Sequence, residues 1–168
     1  MSVNPGNRLH VSTPTDTTIV LTRAFGAPRR LVWEAMTEPA KMRRWMLPPP
    51  GWTMTVCECE VCVAGALRLV WKSDEADPPP DMSLLGVFTE AVLHERMVHT
   101  ETMVLGSGQV IGSQVETHEF AESGGVTTMR ITQVYASKEA RDGAVASGMG
   151  EGMETGFRQL DAVLAEWA

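Results

Sequence analysis

Val145, Met149, Met153, Phe157, Leu160, Leu164 and Trp167 recur at spacings of three and four, one apolar stripe along a long C-terminal helix. A helix with a single stripe must lay it against something, and what precedes it is mostly strand. Residues 53–63, 66–72, 82–92, 96–105, 109–120 and 126–135 are strand-like runs divided by turn signals, with Ser123-Gly124-Gly125 as a hairpin turn before the last. Connections this short imply an antiparallel meander. Upstream, residues 17–25 alternate, with Ile19, Leu21 and Phe25 on one face and Thr18, Thr22 and Ala24 on the other. Arg23 breaks that apolar face and is expected near the end of the sheet.

Two short helices follow the first strand, residues 29–37 after Pro28 and residues 40–46 after Pro39, and Pro48-Pro49-Pro50-Gly51 stops the second. Ser137 is the expected N-cap of the C-terminal helix, and Glu139 suits its first turn. Gly148, Gly150, Gly152 and Gly156 each cost about 1 kcal/mol relative to Ala in a helix, so its first half is expected to bend or fragment. The pattern predicts an α+β fold of helix-grip type: a curved antiparallel sheet of six or seven strands around a long C-terminal helix. If the sheet curls around that helix, the space between them is a cavity rather than solid core.

A chain of 168 residues is one domain; residues 1–15, polar and carrying Pro5 and Pro14, are expected to be a flexible tail before a domain at 16–168. A net charge of −7 argues against a nucleic-acid partner, which would need clustered Lys and Arg. The longest apolar stretch, residues 61–71, already contains Arg68 and is too short to span a membrane. The first seventeen residues show no apolar signal region, and three Cys packed into six positions form no disulfide framework. A cytoplasmic location is expected.

Thr22-Arg23-Ala24-Phe25-Gly26-Ala27-Pro28, Leu31-Val32-Trp33-Glu34-Ala35, Thr37-Glu38-Pro39 and Arg44-Trp45 resemble the opening of the domain related to the activator of heat-shock protein 90 ATPase, a branch of the START-like (SRPBCC) superfamily. Gly51-Trp52-Thr53, Cys57-Glu58, Gly86-Val87-Phe88-Thr89-Glu90, Glu95-Arg96-Met97-Val98 and Ser137-Lys138-Glu139-Ala140-Arg141-Asp142 continue the likeness, which runs from Asp16 to Trp167. It implies the START-like helix-grip fold and a ligand cavity. The chain departs from the pattern at Cys59-Glu60-Val61-Cys62-Val63-Ala64, where Cys62 replaces a basic residue, and at Trp45-Met46-Leu47-Pro48, where a double aromatic is usual. Both changes make the ligand-holding region more apolar.

Eleven Met and five Trp against one Tyr suit an adaptable apolar pocket, and Trp33, Trp45, Trp71, Phe88, Met149, Met153 and Phe157 are the expected ligand-binding set. Glu90 is read either as its polar anchor or as a solvent-facing residue. His99 with Glu101, and His118 with Glu116, share strand faces two residues apart and would make carboxylate-oriented bases if they faced the cavity. The preferred reading places them on the outward polar face of a one-sided sheet. Cys57 and Cys59 share a strand face that Cys62 does not, so no metal is expected there. The glycine-rich Gly106-Ser107-Gly108 and Gly148-Met149-Gly150-Glu151-Gly152 do not join a strand to a helix start, so no nucleotide or other cofactor is expected.

Three functions fit these residues. The first is binding of a small apolar or aromatic molecule between sheet and helix. The second is an enzyme of cyclase or proton-transfer type in the same cavity, with Glu90, His99, Glu101 and His118 as catalytic candidates. The third, suggested only by the family resemblance, is a chaperone-interaction module. A homodimer is left open.

Overall fold

The computed structural model describes residues 6–167. In chain order they form strands β1 (His10–Thr15) and β2 (Thr18–Phe25), helices α1 (Arg29–Thr37) and α2 (Pro39–Trp45), then β3 (Trp52–Cys59), β4 (Ala66–Ser73), β5 (Met82–Val92), β6 (Arg96–Leu105), β7 (Val110–Ser123) and β8 (Val126–Tyr135). Helices α3 (Lys138–Ala146) and α4 (Met149–Trp167) complete the chain. All eight strands join one open antiparallel sheet in the order β1-β2-β8-β7-β6-β5-β4-β3, one strand more than the upper sequence expectation. The meander β3 to β8 is local, whereas β2 pairs with β8 along its whole length, Thr18 with Val134 through Phe25 with Thr127.

The helices arise where the sequence places them. Pro28 occupies the N-cap of α1 without a side-chain cap bond, and the Glu122 carboxylate at the end of β7 accepts instead from the Arg29 amide at 2.9 Å. Pro39 opens α2. Ser137 caps α3, accepting from the Ala140 amide at 3.1 Å. At the β7–β8 hairpin, Gly124 and Gly125 both have positive φ, as a two-residue primed turn demands.

Two expectations need correction. Residues 10–15, read as part of a loose tail, form edge strand β1, with His10 opposite Thr22; residues 1–5 of that tail lie outside the described residues. The strand read over 53–63 ends at Cys59, because residues 60–65 fold into a turn with Ala64 in the left-handed region and the Gly65 amide donating to the Cys62 carbonyl. The C-terminal helix fragments in its glycine-rich first half, as expected, into α3 and α4. Gly148, at φ +79°, breaks it, so the stripe loses phase and Val145 is exposed, while Phe157, Leu160, Val163 and Leu164 stay buried.

The buried face of α4 packs with the inward residues of β2 and β8, among them Ile19, Leu21, Met129 and Ile131. Phe157 meets Phe25 edge to face, ring centroids 5.6 Å apart. Arg23, two residues from the end of β2, sits within this apolar layer. Its side chain is fully buried, donating two bonds to Asp161, at 2.9 and 2.7 Å, and one to Glu154 at 3.1 Å. Glu154 and Asp161 lie seven residues apart, two turns along the same face of α4, which lets one guanidinium bridge both.

Gly152 tests the helix energetics. A Cβ there meets nothing within 4 Å, so Gly152→Ala is expected to raise stability by about 1 kcal/mol in thermal denaturation.

Candidate functional site

Between the inner face of the sheet and helices α2 and α4 lies a cavity of about 700 Å³, within the size range of small-molecule sites. Its floor includes buried Phe88, His99 and Glu116, and its exposed lining residues, Leu47, Pro49, Gly152, Thr155 and Gln159, mark the mouth. Eight of the eleven methionines line it: Met36, Met42, Met46, Met82, Met97, Met103, Met149 and Met153. Such unbranched, polarizable side chains can repack around ligands of different shape. Trp45 stacks on Phe157 at 5.7 Å and is held by its ring N–H, which donates to the Ala35 carbonyl at 2.8 Å.

One wall is polar, and strand register builds it. His99 pairs with Glu116, Glu101 with Gln114, and Glu116 with Gln133, so β6, β7 and β8 bring these five side chains side by side on the inward face. His118, two residues along β7 from Glu116, completes the group, its Nε2 2.8 Å from Glu116 Oε2. Gln133 donates to Glu116 Oε1 and accepts from the Tyr135 hydroxyl at 3.1 Å, and Gln114 donates to Glu101 at 3.1 Å. The rings of His99 and His118 lie 5.3 Å apart, with Phe88 5.0 Å from His99. Among the described residues no Lys or Arg lines the cavity.

Burial and proximity split the charges. Burial, then the neighbouring Glu116 carboxylate, pushes the Glu101 carboxyl well above its usual range. Burial also works against ionisation of Glu116, yet the hydrogen bond and charge of His118, with His99 and Gln133, hold its carboxyl below the usual range. His99 is pushed down to about 4 by burial and by His118, which keeps its ring neutral near pH 7. Tyr135 rises to about 12 through burial and the two carboxyls. A neutral carboxyl beside an ionised one both donates and accepts hydrogen bonds, so this wall can orient one polar group of a ligand whose remainder is apolar.

Of the seven expected binding residues the structure brings six, Trp45, Trp71, Phe88, Met149, Met153 and Phe157, around this cavity. Trp33 is elsewhere, buried on α1 against Phe120 with ring centroids 5.5 Å apart. His99 and His118 are not outward polar residues: they are 3% and 9% exposed and face the cavity, because the polar row His99–Glu101 continues the inward row that starts at Met97. Glu90 is outside, bonded to Arg96 at 2.9 Å. A β-bulge between Phe88 and Glu90 shifts the register, so the residue two beyond inward Phe88 turns outward.

Cys57 is buried, Cys59 lines the cavity and Cys62 is exposed, so the three thiols do not converge. Burial pushes the Cys59 thiol up to about 12, an unreactive state. A different trio can hold a metal ion: His99, Glu116 and His118 each offer one ligand-type atom, all within 4.8 Å of one another. In the sequence Glu116 stands out only as a partner of His118, and Gln114, Gln133 and Tyr135 do not stand out as site residues. The sequence carries a signal for Gln114 and Gln133, since Gln114, Glu116 and His118 alternate in step with apolar Phe120, and Gln133 with Met129 and Ile131.

The open sheet, the two short helices after β2 and the long helix across the inner face define a START-like helix-grip domain with a cavity beneath its C-terminal helix. The model of the family described as Activator of Hsp90 ATPase homolog 1-like protein matches residues 26–165, and the chain belongs to that family. A crystal structure of a Rhodobacter sphaeroides protein is similar at 30% identity and TM-score 0.84, covering 95% of this chain and 99% of that one. A Mycobacterium smegmatis protein (20% identity, TM-score 0.77, covering 95% of this chain and 98% of that one) shares the fold. So does one from Nitrosomonas europaea (20% identity, TM-score 0.75, covering 92% and 97%). The chain matches no curated protein. Among the described residues no helix is long and apolar enough to cross a membrane.

Proposed function

We propose that this domain binds one small, largely apolar or aromatic molecule in the cavity between the sheet and α4, with a single polar group of the ligand against Glu101, Glu116, His99 and His118. The observation that carries the reading is the division of the lining: methionine and aromatic side chains over most of it, and one hydrogen-bonded polar wall at the floor. Apolar burial, at about 25 cal/mol per Å², supplies the affinity, and the wall supplies orientation. Neutral ligands with a hydroxyl, carbonyl or amine fit this wall better than carboxylates, which would meet two glutamates and no Lys or Arg among the described residues.

The test is titration with the neutral dye N-phenyl-1-naphthylamine, followed by its fluorescence. Saturable binding of one dye per chain is expected. Gly152→Phe, which fills the mouth, is expected to weaken it about tenfold or more, whereas Gly152→Ala leaves it unchanged. Dye uptake that never saturates, or that is indifferent to Gly152→Phe, would remove the cavity from consideration.

A further inference from the structure

We infer that His99, Glu116 and His118 form a binding site for one divalent transition-metal ion, of the zinc or cobalt class, at the polar floor of the cavity. Two imidazoles and one carboxylate are the donor set that such ions take, with remaining coordination positions left for water or a ligand atom. The side chains come from adjacent strands in register, His99 opposite Glu116 on β6 and β7 and His118 two residues on, so rigid backbone fixes their spacing. Donor atoms bound at about 2.1 Å to one ion sit about 3–3.5 Å apart. The contact of His118 Nε2 with Glu116 Oε2, at 2.8 Å, is already close to that, and the full set lies within 4.8 Å, so side-chain rotation of about 1–1.5 Å closes the site.

Two of the three ligands, His99 and Glu116, have outer partners in place. His99 Nδ1 faces the Thr100 carbonyl at 3.3 Å and Glu101 at 3.8 Å; a proton held there leaves Nε2 as the lone-pair nitrogen. Gln133, itself bonded to Tyr135, fixes one oxygen of Glu116. His118 Nδ1 is buried without a hydrogen-bond partner among the described residues, so His118 is held in place by its Nε2 contact with Glu116 and by packing against the His99 ring. The cavity gives an ion access and gives bound metal an apolar chamber on its open side.

The site is tested on the full chain, stripped with EDTA, dialysed and titrated with cobalt(II) chloride while the visible d–d absorption is followed, with zinc chloride as competitor. One equivalent of cobalt per chain, displaced by zinc, is the expected result. Loss of an outer partner of a metal ligand costs 10–100-fold in affinity, so His118→Ala and the near-isosteric Glu116→Gln are each expected to weaken binding by about 100-fold or more. His10→Ala, on exposed edge strand β1, is expected to change nothing. Folding of each variant is checked by far-UV circular dichroism and by its urea-denaturation midpoint, neither of which reads the cavity. Failure of the wild-type chain to bind cobalt saturably overturns the inference, as does full affinity in folded Glu116→Gln or a loss of binding on Cys62→Ser instead.

Discussion

Replacing Arg23 by methionine is expected to destabilise the fold by about 3–5 kcal/mol in urea denaturation, among the largest effects of any single substitution in this chain. The Arg23 side chain is wholly buried, and it bridges Glu154 and Asp161 of α4 at 2.7–3.1 Å while lying 4.8 Å from the centre of the Phe25 ring. Burial disfavours its charge, but the bonds and charges of Asp161 and Glu154 outweigh this and hold its pKa above the ordinary value. Removing the guanidinium leaves Glu154, whose side chain is only 13% exposed, facing an apolar layer without its main counter-ion. Arg23→Lys keeps the charge but cannot form the two-pronged bond to Asp161, and is expected to lose about half as much.

The same network sets an acid limb. Burial works against the Glu154 carboxylate, yet bonds from Arg23, the Leu9 amide and Arg158 hold its pKa below the unfolded value. Its contribution is therefore complete above the unfolded pKa, near 4.3, and is lost as pH falls through the lower folded value. A stability profile between about pH 6 and pH 2 is expected to fall less steeply in Arg23→Met than in the wild type. Parallel profiles would show that Arg23 does not hold Glu154 ionised.

Trp45→Ala is the second large effect. The indole is buried, stacks on Phe157 and donates to the Ala35 carbonyl at 2.8 Å, and the edge of its ring lies 3.7 Å from where a Cβ on Gly156 would stand. Truncation removes this contact area between α2 and α4 and leaves the Ala35 carbonyl without the indole donor. A loss of about 3–5 kcal/mol is expected. Trp45→Phe keeps the stacking and loses only the bond, about 1 kcal/mol. Because Trp45 also lines the cavity, Trp45→Ala is expected to weaken N-phenyl-1-naphthylamine binding about tenfold, and unchanged affinity in a folded variant would place Trp45 outside the binding site.

Much of this architecture is legible in local patterns. The period-two runs that become β5, β6 and β8, the prolines that open α1 and α2, the Gly124-Gly125 turn and the apolar stripe of α4 are written within stretches of about ten to twenty residues, because backbone geometry repeats over that distance. Six of the seven aromatic and methionine residues read as binding residues meet at one cavity for the same reason: a meander that needs one long helix to cover it leaves few other places for them. What escaped that reading depends on pairing between distant segments. Strand β1 has one apolar residue, Val11, among four polar ones and Pro14, and only its hydrogen bonds to β2 make it a strand. Glu90 lies outside because a bulge shifts the register of β5 against β6, and nothing within residues 88–90 announces it. Arg23 is tolerated in the core because its counter-ions arrive from 131 and 138 residues further along the chain. His99, Glu116, Gln133 and His118 form one wall because three strands stack in register. Periodicity tells which residues share a face of their own strand; which face is buried, and what stands opposite, is decided by the energy of packing the whole sheet against α4.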